Sequence, residues 1–144
     1  MMLSGAARLA GVMGWPVAHS RSPRLHGFWL RQHGIDGAYV PLAVRPENLP
    51  LALGALSVLG FAGCNLTIPH KEAALDLVDE ITPLAARIGA INTVIVKADG
   101  TLCGDNTDAY GFIENLRGTV SGFDPATGPA VVLGAGGAAR AVCA

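Results

Sequence analysis

Lys71 and Asp108 are the residues of this chain best suited to move a proton, and each stands in a run of short polar side chains. Lys71 closes Asn65-Leu66-Thr67-Ile68-Pro69-His70-Lys71, and Asp108 closes Gly104-Asp105-Asn106-Thr107-Asp108. Asn65 and Thr67 lie two apart where an apolar strand runs out. Period-two alternation puts them on one face, at the strand end where open α/β sheets take their ligands. The same pair also reads as an ordinary turn before Pro69. Lys71 opens a helix, an end that prefers anions. It therefore either sits in a solvated turn or has another task. With Asp108 beside it, a carboxylate would favour the charged amine, and the pair could shuttle a proton to or from a hydroxyl. Asp105 suits a turn or cap. No spacing here matches a metal cage.

Two further constellations bracket these runs. Ser20 and Ser22 enter a helix, where short hydroxyls near free N–H groups suit a carboxylate or phosphate; Ser22 can equally act as the helix cap. Near the other end, Gly134-Ala135-Gly136-Gly137-Ala138-Ala139-Arg140 follows the apolar run Val131-Val132-Leu133 and fits G-x-G-x-x-A. Such a turn lets a backbone approach a pyrophosphate resting on a helix N-terminus. The residue about 20 positions further on, which separates NAD from NADP, lies beyond Ala144. A polyol pocket followed by a dinucleotide turn suggests a dehydrogenase that reads its substrate with its N-terminal half.

The elements that must position these residues follow from hydrophobic pattern and turn signals. Strands are expected at Leu9–Met13, Ala38–Val44, Phe61–Leu66, Ile91–Lys97 and Thr101–Cys103, the last two joined by the hairpin pair Asp99-Gly100. Helices are expected at Ser22–His33, with Ser22 as cap, and at Pro46–Leu59, His70–Val78, Thr82–Ile88 and Thr107–Leu116. The alternation predicts a three-layer α/β domain with a mostly parallel sheet and one antiparallel strand, over residues 1–117. A Gly/Pro-rich linker (118–129) then leads to the first strand, Ala130–Leu133, and glycine turn of a Rossmann domain (130–144).

Composition agrees. The 144 residues are 51% hydrophobic, with a mean hydropathy of +0.42, as strands buried on both faces require. A net charge of −1 without a basic cluster argues against nucleic acid. Asn48 to Pro69 carries no charge, but Pro50, Gly54, Gly60 and Gly63 interrupt it, so it reads as a buried helix and a core strand, not a membrane span. Cys64, Cys103 and Cys143 suit reduced thiols of a cytoplasmic protein.

Five blocks together resemble the shikimate dehydrogenase family: Gly14-Trp15-Pro16-Val17-Ala18-His19-Ser20-Arg21-Ser22-Pro23, Asn65 to Glu72, Gly89-Ala90-Ile91-Asn92-Thr93, Gly104 to Asp108, and Gly134 to Arg140. They stand in the family's order at similar spacing. The resemblance implies NADP-dependent interconversion of 3-dehydroshikimate and shikimate in aromatic amino-acid biosynthesis. It implies that Ser20 and Ser22 hold the substrate carboxylate, and that Asn65, Thr67, Asn92 and Asp108 bind ring hydroxyls. Lys71 would exchange a proton with the C3 oxygen, with Asp108 its partner, and Gly134, Ala135, Gly136, Gly137, Ala138, Ala139 and Arg140 would hold the cofactor. A homodimer of the full-length protein is a further implication.

The chain departs from the pattern at Ala109, where the family commonly has Gly. Relatives that prefer quinate often carry Thr at the second serine, so Ser22 tilts towards shikimate. The family is also roughly twice this length. The chain is therefore expected to be an N-terminal fragment, inactive alone, with apolar surface uncovered. A non-catalytic shikimate-binding fragment and an NAD-dependent quinate/shikimate enzyme stay open as alternatives.

Overall fold

The computed structural model describes residues 2–144. Six strands form one sheet: β1 (Arg8–Gly14), β2 (Gly37–Ala43), β3 (Phe61–Leu66), β4 (Glu80–Ile81), β5 (Thr93–Val96) and β6 (Leu102–Asp105), in the order β2-β1-β3-β5-β6-β4. β5 alone is reversed, antiparallel to both β3 and β6, while every other pair is parallel. The turn after β5 follows the expected chemistry. Gly100 takes φ +89, and the Thr101 N–H donates to Asp99 Oδ1 at 2.9 Å.

Gly63 lets β5 lie alongside β3. Its φ is +151, and a Cβ there would stand 2.1 Å from the Val94 carbonyl oxygen. The β1–β3 register also slips just before it, between Leu9 and Ala10.

The helices are α1 (Ser22–Gln32), α2 (Leu49–Val58), α3 (His70–Ala73), α4 (Pro83–Ile88), α5 (Asp108–Thr119) and α6 (Gly137–Cys143). From α2, Leu49, Leu53 and Leu56 bury against Met13, Cys64, Leu66, Ile91 and Val94. Each such leucine contributes about 2 kcal/mol on leaving water. Alternation then sorts the opposite face. On β2, Leu42 leans on this core. Tyr39, three residues earlier, faces the other way, its ring stacked on His26 of α1 at 4.0 Å between centroids. On β3, Asn65 lies between the core-facing Cys64 and Leu66 and reaches Tyr39. Helices cover both faces, which is the three-layer α/β arrangement the sequence implies.

Four local expectations are corrected. Ser22 is not the cap of α1: the backbone is already helical at Arg21 (φ −90, ψ −8), which stands at the cap position without a side-chain bond. Residues 130–133 form no strand, because no strand among the described residues pairs with them; Val131 and Leu133 are 86% and 96% exposed. The start of the expected linker is helical, since α5 continues to Thr119. The edge strand β4 was not expected; it exists through its pairing with Cys103 and Gly104 of β6.

α6 does not stand apart. Ala141 is buried with Ile88 and Ala90, and Arg87 Nη2 donates to the Ala144 carbonyl at 3.1 Å. Apolar surface remains exposed on the outer side of α2 at Leu51, Val58 and Leu59. Among the described residues, no helix is long and apolar enough to cross a membrane.

Candidate active site

Lys71 is held from both sides of its backbone. The neighbouring His70 is 1% exposed, its Nε2 2.8 Å from the Val44 carbonyl oxygen. The Lys71 carbonyl accepts from the Ile91 N–H at 2.7 Å. The loop that delivers α3 crosses the end of β1 closely. A Cβ on Gly14 would stand 2.4 Å from Thr67 Cγ2, so only glycine admits Thr67 there.

Asp108 is the first residue of α5, where the helix dipole favours a carboxylate. Asn106, 1% exposed, aims it. Asn106 Oδ1 accepts from the Asp108 N–H at 3.0 Å, while Asn106 Nδ2 donates to the Ala90 carbonyl at 2.9 Å. Asp105 is used internally: its Oδ1 accepts from Thr82 Oγ1 at 2.6 Å and from the Asn106 N–H at 2.8 Å.

The two charged groups meet. Lys71 Nζ lies 2.5 Å from Asp108 Oδ2, with the side chains 16% and 33% exposed. Asp108 Oδ1 accepts from Asn92 Nδ2 at 2.7 Å. Asn92 Nδ2 also reaches Thr107 Oγ1 at 3.0 Å, and Asn92 Oδ1 accepts from Thr93 Oγ1 and the Thr107 N–H, each at 2.9 Å. Asn65 Nδ2 donates to Thr93 Oγ1 at 3.1 Å and to the Asn92 carbonyl at 3.2 Å. The structure thus brings Asn65, Lys71, Asn92 and Asp108 into one polar cluster.

A cavity of about 550 Å³ opens beside Lys71. Thr67, Lys71 and Glu72 line one wall, and Gly134, Gly136 and Gly137 the other. Ala138 and Ala139 extend the second wall. The close fit depends on Gly137, where a Cβ would meet Lys71 Cβ at 3.0 Å and Ala90 Cβ at 3.1 Å. Arg140 pairs with Glu72 at 3.0 Å, tying α6 to α3. Ser20, in the loop between β1 and α1, and Ser22, the first residue of α1, are both half-buried. Ser20 Oγ accepts from the Ser22 N–H at 3.3 Å, which leaves the Ser20 proton able to point outward.

Sequence reasoning did not single out Tyr39, whose hydroxyl donates to Asn65 Oδ1 at 2.7 Å. The register that brings the two together is not a local signal. Burial, then the nearby Cys64, pushes the Tyr39 phenol up to about 12. Burial likewise pushes the Cys64 thiol up to about 12. It also lowers the His26 imidazole from its ordinary value.

The shikimate dehydrogenase substrate binding domain family matches residues 12–94, more than half of the chain. This chain belongs to that family. The match runs from the end of β1 to the first half of β5, and includes Ser20, Ser22, Asn65, Thr67, Lys71 and Asn92. A shikimate dehydrogenase (NADP(+)) of Paramagnetospirillum magneticum is 67% identical over 99% of this chain and 51% of its own length. One from Rhodospirillum rubrum is 66% identical over 99% and 50%. A Thermus thermophilus shikimate 5-dehydrogenase, crystallised in complex with NADP(H) and shikimate, superposes with a TM-score of 0.84 at 49% identity, covering 94% of this chain and 50% of that one. The chain spans about half the length of the curated relatives it matches.

Proposed function

We propose that this chain is the substrate-binding half of an NADP-dependent shikimate dehydrogenase, residues 1–117, followed by a connection and the start of the cofactor domain at 130–144. The observation that carries this reading is Lys71, paired with Asp108, lining a cavity whose far wall is a glycine turn. The glycine turn fits a dinucleotide: Gly136 and Gly137 present backbone without side chains at the start of α6. NADPH, when bound, supplies the hydride that reduces 3-dehydroshikimate.

The chain's own residues do the rest. Ser20 and Ser22 donate to the ring carboxylate. Asn65, Thr67, Asn92 and Asp108 address the ring hydroxyls. Lys71 Nζ, paired with Asp108, gives its proton to the C3 oxygen in reduction and recovers it in the reverse direction. The hydrogen-bonding capacity of Asn92 is already used within the cluster. A ligand that reaches Asn92 must therefore replace one of these bonds. The partner is a small molecule, not nucleic acid, the complete enzyme is a homodimer, and the free thiols suit the cytoplasm.

The test is hydride transfer between shikimate and NADP+ in the complete enzyme, with NAD+ and quinate as competitors. Loss of turnover in Lys71→Ala with shikimate binding retained is expected; near-normal turnover in that variant would sink the assignment. Because the chain spans about half of its relatives, the 144 residues alone are expected to bind shikimate without turning it over.

A further inference from the structure

Lys71 and Glu72 are the charged side chains that line the cavity beside the glycine turn, and each is paired with a residue that does not line it. Lys71 holds Asp108. Glu72 Oε2 holds Arg140 Nη2 at 3.0 Å. The other oxygen, Glu72 Oε1, faces the turn: a Cβ on Gly136 would stand 4.0 Å from it. A carboxylate is therefore set beside the place where the functional reading above puts a pyrophosphate, and two anions at such range repel. The family resemblance gives Arg140 to the cofactor directly. The geometry turns its side chain elsewhere. Its guanidinium grips Glu72, and its Nη1 lies 2.9 Å from where a Cβ on Gly89, the residue that caps α4, would be.

We infer that Arg140 is a positioning residue: it holds and neutralises Glu72, so that the cavity accepts the pyrophosphate, and it does not itself touch the cofactor. This deepens the functional reading above and rests on it. Stability does not account for the pair. Its side chains are 47% and 45% exposed, and ion pairs so exposed contribute little to folding. The docking of α6 has other supports. Ala141 is buried with Ile88 and Ala90, Arg87 Nη2 donates to the Ala144 carbonyl, and Gly137 sits against Lys71 and Ala90. What the pair alters is the charge of the wall. With Arg140 in place, both charged groups of the lining are balanced. Without it, Glu72 stands as an unopposed anion. Arginine suits this task, since its charge is fixed across the working pH range and its several donors can hold a carboxylate in one orientation.

The experiment is a double-mutant cycle in the complete enzyme, read by calorimetric titration of NADP+ and, separately, of shikimate. Arg140→Gln is expected to weaken NADP+ binding about tenfold, with shikimate binding unmoved. Adding Glu72→Gln should restore NADP+ binding to within about twofold of wild type, although both charges of the pair are then gone. Glu72→Gln alone should bind NADP+ about threefold more tightly than wild type, because an anion has left the wall. An arginine that bound the cofactor directly would leave the double variant as weak as Arg140→Gln. A clasp that only held α6 would make Glu72→Gln weaken binding too. Either result overturns the inference, as do wild-type NADP+ affinity in Arg140→Gln and a matching loss of shikimate affinity. If the wild-type enzyme fails to bind NADP+, the functional reading itself fails, and the inference with it. If Arg140→Gln does not fold, Glu72→Gln decides by its sign: tighter NADP+ binding supports the inference, and equal or weaker binding overturns it.

Discussion

Lys71 and Asp108 stand 37 residues apart in the chain and 2.5 Å apart in space, one in the first turn of α3 and the other opening α5. Each is aimed by a buried amino-acid neighbour, His70 for the lysine and Asn106 for the aspartate. Replacing Asp108 by Asn keeps the shape and can keep the Asn92 contact, but it removes the charge that faces the ammonium. In the complete enzyme Asp108→Asn is expected to lower turnover by about a hundredfold, within the range of a lost acid–base partner. Steady-state kinetics with shikimate and NADP+ check this; a turnover within twofold of wild type would show that Lys71 works unaided.

The glycine turn touches the lysine it serves. Gly137 has no room for a side chain against Lys71 and Ala90, so Gly137→Val must push α6 away from α3. NADP+ binding is expected to weaken at least tenfold with shikimate binding nearly unchanged, because the polar cluster lies on the other side of Lys71. Calorimetric titration of each ligand separates the two; equal weakening of both would mean that α6 supports the substrate pocket as well.

Gly63 tests the sheet. A methyl group 2.1 Å from the Val94 carbonyl oxygen at φ +151 cannot be accommodated without moving β5. Gly63→Ala is expected to cost about 2–4 kcal/mol, read as a lower urea midpoint with an unchanged slope. A midpoint equal to wild type would show that the β3–β5 pairing tolerates a shift.

Alkaline pH reports on the same strands. Folding raises the Cys64 thiol from 9.0 to about 12 and the Tyr39 phenol from 10.0 to about 12. Both groups keep their protons more tightly when folded. Their contribution is fully present below about pH 9 and is lost as the pH rises towards 12. Thermal melts are expected to fall across that window, and Cys64→Ala should flatten the fall although it costs packing at neutral pH. An equally steep decline in the variant would assign the alkaline effect to other groups.

Much of this fold was legible locally. Phe61–Leu66 is a strand with the expected bounds, Asp99-Gly100 makes the expected hairpin, and Gly34 takes the left-handed conformation (φ +64) that its place after α1 suggests. Asn65, Lys71, Asn92 and Asp108 are legible because they fall in short polar runs at strand ends and helix starts, where open α/β sheets take their ligands. The failures share a cause. Ala130–Leu133 has every local mark of a strand and is none, since pairing needs a neighbour the local pattern does not contain. Glu80–Ile81 has no mark of a strand and is one, since β6 supplies the edge.

The sequence by itself determined the layered α/β class, the sites of the turns and the set of groups available for proton transfer, because side-chain type and spacing act over a few residues. Tertiary structure alone decided which groups meet. Tyr39 reaches Asn65 across β1, Lys71 reaches Asp108 between two helix starts, and Arg140 reaches Glu72 from the glycine-turn helix. Those meetings depend on strand register and helix docking, which arise from burial summed over the whole core.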